Sequence, residues 1–276
     1  MQVRLKDIIL HYMILAAVML LISSCASLSP NGVGRVKRYT FDDESVPREF
    51  DGYKVAFVSD LHYPSLFNRK RLAKLVCRLQ KESPGVLLLG GDYVISAIFL
   101  DELFHSLSAV KPSDGVFAVL GNHERRYEEA AIMSMNEFGV NLLADSVVAI
   151  ERGRDTVYVA GVYDSFAYDS LVVQPAELVD EEAFVMLLCH TPDYAERSST
   201  TADIVFSGHT HGGQVSLLGL YTPVKNTRYG RRFLRGVNKT TSGATVITTN
   251  GVGTSRRKVR FCVPSEIVIV TLKCKK

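Results

Sequence analysis

A chain of 276 residues, 47% hydrophobic and 22% charged, has the composition of a globular protein long enough to bury a core, as one large α/β domain or two small ones. A net charge of +3 excludes a strong global field for nucleic acid, and Tyr and Phe are scattered without the spacing of a base-stacking platform, so no nucleic-acid partner is expected. None of the five cysteines forms a CxxC pair, which excludes a cysteine zinc site; a Cys262–Cys274 disulfide is open to a chain outside the cytoplasm, and the sequence does not establish it.

At the N-terminus, Arg4 and Lys6 precede an apolar run from Ile8 to Ile22. The run is short for a membrane span, which needs about 20 residues, and suits the apolar region of a secretory signal. The Ser23-Ser24-Cys25-Ala26 stretch after it resembles a bacterial lipoprotein signal, which implies cleavage before Cys25 and lipidation of its thiol. An uncleaved signal anchor from about Leu5 to Ala26 and a buried core helix are the rival readings. The positive charges at the start place the rest of the chain on the outer side of the cytoplasmic membrane, in a bacterial cell envelope. Residues 1–25 are thus the signal or anchor, 26–52 a polar tether and lead-in, and 53–276 the folded domain.

From Tyr53 short apolar runs alternate with amphipathic segments. Val55–Val58 is a strand candidate, and Asn68–Glu82 a helix with Leu72, Leu75, Val76 and Leu79 at helical spacing. Strand Val86–Leu89, helix Asp101–Val110, strand Val116–Leu120 and helix Arg125–Phe138 continue a βαβαβα order that predicts a largely parallel sheet. The second half is richer in strands, at Ser146–Ile150, Val157–Val162, Phe184–Cys189, Ile204–Phe206, Gln214–Leu217, Ala244–Thr248 and Ile267–Leu272, with helical patterns only at Pro175–Glu182 and Pro192–Arg197. These elements predict two sheets packed face to face with helices outside.

Five polar clusters each follow directly on an apolar strand: Asp60-Leu61-His62, Gly90-Gly91-Asp92, Gly121-Asn122-His123-Glu124, His190, and Gly208-His209-Thr210-His211-Gly212-Gly213-Gln214. Ligands collect at the carboxyl ends of parallel strands, so the five can converge in space. Five of the seven histidines lie in these clusters, against His11 in the N-terminal run and His105 alone in a helix. Carboxylate, imidazole and amide oxygen are donors for manganese, iron, zinc or nickel. Read singly, Asp60 and Asp92 also suit helix N-caps, Asn122 a turn, His190 a satisfied strand-end histidine, and Glu124 a charge at a helix start.

The ordered set Asp60-x-His62, Gly91-Asp92, Gly121-Asn122-His123-Glu124, His190 and Gly208-His209-x-His211 resembles the calcineurin-like metallophosphoesterases, over about Tyr53 to Leu272. The Gly208–Gln214 stretch, with Asn250–Thr254 and Pro264-Ser265-Glu266, is similar to a membrane-associated bacterial phosphodiesterase subgroup whose relatives include UDP-2,3-diacylglucosamine pyrophosphatases of lipid A synthesis. The resemblance implies a four-layer αββα sandwich of two mixed β-sheets and two divalent metal ions, manganese first. Asp60, His62 and His211 would hold one ion, Asn122, His190 and His209 the other, and Asp92 would bridge them. A bridging hydroxide would attack a phosphodiester or pyrophosphate, His123 would donate to the phosphoryl oxygen or leaving group, and Glu124 would orient His123. The chain departs from many relatives at Tyr63-Pro64 and in the basic stretch Arg256–Arg260, which puts the rim of the site in doubt rather than its ligands. The substrate implied is a phosphate ester, broad or lipid-linked; a non-catalytic, metal-stabilised envelope binding protein is the alternative from another class.

Overall fold

The computed structural model describes residues 5–25, 33–163, 165–166, 174–217 and 219–275. Its elements in chain order are α1 (Leu5–Cys25), β1 (Arg35–Asp43), β2 (Lys54–Val58), α2 (Arg69–Glu82), β3 (Val86–Leu89), α3 (Leu100–Leu107), β4 (Val116–Ala118), α4 (Glu128–Glu137), β5 (Asn141–Leu142), β6 (Ser146–Arg152), β7 (Asp155–Gly161), β8 (Phe184–Leu188), α5 (Asp193–Arg197), β9 (Ile204–Ser207), β10 (Gly236–Lys239), β11 (Thr245–Thr248) and β12 (Glu266–Cys274). They build two six-stranded mixed sheets, ordered β1-β12-β2-β3-β4-β5 and β10-β11-β9-β8-β7-β6. β2, β3, β4 and β5 run parallel, as do β11, β9, β8 and β7.

The apolar strands are two-sided because alternate side chains face opposite ways. In β2, Val55 and Phe57 point between the sheets while Ala56 and Val58 face the helices; in β3, Val86 and Leu88 do the first and Leu87 and Leu89 the second. The inter-sheet core adds Phe184, Met186 and Leu188 of β8 and Phe206 of β9, whose ring lies 5.4 Å from that of Phe57. Outside the first sheet, α2 and α3 bury Leu72, Leu75, Leu79, Leu103 and Phe104, the helical stripe legible in the sequence. Outside the second lie Tyr194 and Ala195 of α5 with Ala176 and Phe233. The four layers are therefore αββα, as expected.

Most elements fall where periodicity placed them, and α2 is capped by Asn68, whose side chain accepts from Arg71 N at 3.2 Å. Four differ. Residues 35–43, read as lead-in, form β1, an edge strand parallel to β12; residues 26–32 of that segment lie outside the described residues. Gln214–Leu217 makes only isolated bridges, from Val215 to Phe261 and from Leu217 to Tyr221. Pro175–Glu182 shortens to a 3-10 turn at Pro175–Leu178, and the Arg125–Phe138 helix splits into a 3-10 turn at Glu124–Arg126 and α4. No disulfide joins Cys77, Cys189, Cys262 or Cys274. Among the described residues no helix is long and apolar enough to cross a membrane.

Candidate metal centre

Pairing between neighbouring strands continues past their carboxyl ends and carries the polar clusters together. Asp60 N donates to Gly91 O at 2.9 Å, His62 N to Asp92 O at 3.0 Å, and Gly208 N to His190 O at 2.9 Å. Asp60, His62, Asp92, His209 and His211 hold φ of 55°, 45°, 56°, 64° and 52°. The left-handed region is costly for residues with a Cβ and persists where the surroundings over-determine it, characteristically at functional sites. Gly121 is required for a different reason: a Cβ there would stand 2.3 Å from Asp92 Oδ1.

Six of the seven ligand candidates are drawn together by direct distances, Asn122 being placed beside them by its chain neighbours. His62 Nε2 lies 3.1 Å from His211 Nε2, and His211 Nε2 lies 3.3 Å from Asp60 Oδ1. Asp92 Oδ2 stands 3.5 Å from both His62 Nε2 and His190 Nε2, which is the central position a bridging carboxylate needs. Donor atoms of Asp60, His62 and His211 lie within 4.8 Å of one another, and so do those of Asp92, His190 and His209. Asn122 sits between Gly121 and His123, and the His123 amide donates to Asp92 Oδ1 at 3.0 Å. Neither Asp60 nor Asp92 caps a helix.

The donor set fits a pair of cations on an observation independent of any likeness. Asn122 Oδ1 and His190 Nε2 are buried and without a hydrogen-bond partner, a costly state for a polar atom that no ligand satisfies. His190 Nδ1 lies 2.6 Å from the carbonyl oxygen of Gly90 and must donate to it, so Nε2 is the nitrogen turned toward Asp92, open to a cation or a second proton. Burial pushes the His62 imidazole down to about 4, His209 to about 3 and His211 well below its ordinary range, leaving all three neutral and able to ligate. Burial raises Asp60 to about 6. His190 is different: burial opposes its charge, but the carboxylates of Asp92 and then Asp60 hold it up at about 9. Asp92 stays well below the usual carboxylate range because His190, His62 and His123 outweigh its burial.

Glu124 is fully buried, and its carboxylate accepts from three backbone amides: Asp92 N at 2.8 Å, Tyr93 N at 2.9 Å and Gly121 N at 2.9 Å. It therefore ties the loop after β3 to the loop after β4. The expectation that it orients the His123 ring is replaced by this role, because both oxygens are turned to the backbone. Burial, then the charge of Asp92, raises its carboxyl to about 7. The His123 side chain is part exposed, at 32%, with Nε2 3.9 Å from Asp92 Oδ2.

Two residues of the site carried no functional signal in the sequence. Arg260, in the stretch read as a basic surface, is buried, and its guanidinium donates to the carbonyls of Asn250 and Gly253, both at 2.6 Å. Further bonds to Gly251 O at 3.2 Å and His211 O at 3.3 Å lock the His211 loop to the segment before β12. Phe166 packs on the rings of His209 and His190 at 4.8 and 5.7 Å, with the Arg125 guanidinium over its other side at 5.6 Å.

Comparison with known proteins agrees with this geometry. The sequence profile of the calcineurin-like phosphoesterase family matches residues 53–213. The chain is 30% identical to an uncharacterized metallophosphoesterase of Aquifex aeolicus over 87% of its own length and 92% of that protein. It is 26% identical to the metallophosphoesterase YkuE of Bacillus subtilis, covering 85% of this chain and 84% of YkuE. Identity to the phosphodiesterase YaeI of Escherichia coli is 28%, over 77% of this chain and 78% of YaeI.

Proposed function

Because the chain belongs to the calcineurin-like phosphoesterase family, we propose that it hydrolyses a phosphodiester or pyrophosphate with two divalent cations, manganese first and iron, zinc or nickel after it. The observation that carries this reading is the pair of unsatisfied buried atoms, Asn122 Oδ1 and His190 Nε2, the latter 3.5 Å from the Asp92 carboxylate that two clusters of donors share. Asp60, His62 and His211 would hold one cation, Asn122, His190 and His209 the other, and Asp92 both. Bound there, the cations lower the pKa of water and neutralise charge on the phosphoryl group. His123, part exposed, would donate a proton to a phosphoryl oxygen or to the leaving group. Glu124 holds the two loops that present Asp92 and Asn122. The name of YaeI supports a diester over a monoester. The apolar run before Cys25 supports a tether to a bacterial envelope membrane, by lipid on Cys25 or as a signal anchor.

The full chain, loaded with manganese, should cleave bis(p-nitrophenyl) phosphate faster than p-nitrophenyl phosphate. Chelation should abolish this turnover, and a divalent ion should restore it. Asp92→Asn should lower it by about 100-fold or more, since it takes charge from both cation positions. Hydrolysis insensitive to a chelator would overturn the reading.

A lipid-linked ester is the second reading, of which a UDP-2,3-diacylglucosamine pyrophosphatase is the specific form. It is favoured by a cavity of about 250 Å³ beside His211, walled by Val215, Pro223, Val224 and Val259 with Arg256 and Arg257. UDP-sugars are cytosolic, so finding Cys25 lipidated on an exported domain would set that specific substrate aside.

A further inference from the structure

From Ile204 to Ser265 the chain contains no Asp or Glu and ten Lys and Arg. The rest of the chain therefore carries a net charge of −7, against +3 for the whole. This acid-free stretch also holds a group of exposed apolar side chains outside α1: Leu217 is 59% exposed, Leu220 75%, Tyr221 64%, Val224 51% and Val259 42%. Contiguous exposed apolar surface of this kind marks a contact with something.

These side chains stand on an ordered support. Leu217 N donates to Tyr221 O at 2.8 Å and Leu220 N to Leu217 O at 2.9 Å, closing a short turn whose tip is apolar. Arg231 clasps that turn by donating to Gly219 O at 2.8 Å and Leu220 O at 3.0 Å. Below the tip, Ser216 N donates to Phe261 O at 2.9 Å, and the Gln214 side chain donates to Arg257 O at 2.9 Å. These bonds bind the turn to the exposed loop of Arg256, Arg257 and Lys258. Pro223 and Val224, just after the turn, and Arg256, Arg257 and Val259 of the loop line the cavity beside His211. Arg232 is paired with Glu196 at 2.8 Å and does not contribute free charge, but Arg231, Arg256, Arg257 and Lys258 have no carboxylate partner among the described residues.

We propose that the exposed side chains of Leu217, Leu220, Tyr221 and Val224, with Arg256, Arg257 and Lys258, form a docking surface for an anionic lipid bilayer, a contact separate from the N-terminal segment. Leucines and a tyrosine at an exposed tip, ringed by cations, are what an interfacial anchor presents: apolar groups enter the headgroup boundary while basic groups meet anionic headgroups. A nucleic acid would meet the cations but gain nothing from exposed leucine. Docking by this face turns the cavity beside His211 toward the membrane and leaves the site within reach of an ester held there.

The chain has no tryptophan, so Leu220→Trp makes a single reporter at the tip of the turn, in full-length protein, that is blind to the N-terminal segment. In phosphatidylglycerol vesicles its emission should shift to the blue and be quenched by brominated acyl chains. In phosphatidylcholine vesicles, or with R256Q, R257Q and K258Q added, quenching should fall about tenfold or more, with metal content unchanged. Tyr221→Trp serves as the second reporter if Leu220→Trp does not fold. Equal quenching by acrylamide with and without anionic vesicles would overturn the proposal. So would a blue shift that needs no vesicles and grows with protein concentration, which would mark a face for a second copy, or a response to oligonucleotide alone.

Discussion

His190 gives its Nδ1 proton to the carbonyl oxygen of Gly90 at 2.6 Å, and this bond decides which of its nitrogens faces the centre. A main-chain acceptor cannot change its preference with pH, so Nε2 is the atom left to bind a cation or a second proton. In the metal-free protein Asp92 and Asp60 favour the second proton up to about pH 9.

Proton release on metal binding follows from that competition. Between about pH 7 and 9, His62, His209 and His211 are already neutral, and Asp60, at about 6, is mostly ionised. The proton on His190 is then the one that a cation displaces. Metal affinity should rise about tenfold per pH unit from pH 6.5 to 8.5 and flatten above 9. Titration calorimetry in buffers of different ionisation enthalpy should count at least one proton released at pH 7.5, the His190 proton, with any excess coming from Glu124 and from water at the cations. The raised value also stabilises the metal-free fold fully below 6.5, and that gain is lost as pH rises through 9. Apparent stability without metal should therefore fall over this window and be restored by saturating manganese. A count of zero protons would mean that His190 is not a ligand.

Glu124 makes a second prediction, because a carboxylate that accepts three backbone amides has no adequate neutral substitute. Glu124→Gln keeps the shape but turns an NH2 group toward N–H donors at Asp92, Tyr93 or Gly121. Leaving one or two buried donors unmet should cost roughly 1–3 kcal/mol in urea unfolding. Metal affinity should fall about 10–100-fold, as for other groups that orient ligands. A variant that loses turnover with unchanged metal affinity would instead place Glu124 in the proton-transfer step.

The eight candidate site residues were legible because each lies within a few residues of an apolar strand end, where local sequence fixes tertiary position. Sequence does not reveal what braces them. Arg260 reads as one more cation after Arg256, Arg257 and Lys258, and its burial depends on carbonyls of Asn250 and Gly253 that face inward only once the loop before β12 has closed. Glu124 reads as a helix-start charge, since nothing in its neighbourhood reports that amides 31 and 32 residues away point at it. β1 was read as lead-in because an edge strand, with Arg35, Lys37, Arg38, Asp42 and Asp43 turned largely to solvent, lacks the apolar alternation of an inner one.

Arg260 supplies the third prediction. Its charge is met by carbonyl dipoles in a buried loop, and burial lowers its pKa only to about 10, so it stays charged at neutral pH. Arg260→Met removes the charge and strands the carbonyls of Asn250, Gly251, Gly253 and His211 together. The expected loss is about 3–5 kcal/mol. Arg260→Lys should recover only part of it, because an ammonium cannot span the same fork. Turnover should fall with stability, since the loop it locks carries His211. Full activity in Arg260→Met at a temperature where it remains folded would show that the clamp serves stability alone.

His123 separates proton transfer from metal binding. Its Nε2 is 3.9 Å from Asp92 Oδ2, and donor atoms of His62, Asp92 and His123 also lie within 4.8 Å of one another, so distance alone admits a ligand. Its partial exposure argues for the substrate side. His123→Ala should therefore keep both cations by elemental analysis while kcat falls about 10²–10⁴-fold, the usual span for removal of a general acid. The deficit should grow as the leaving group becomes a poorer one, since a proton donor matters most where the departing oxygen is basic. A uniform loss across leaving groups would assign His123 to stabilising the phosphoryl oxygen. Loss of one cation would make it a ligand and remove the proton donor from the reading.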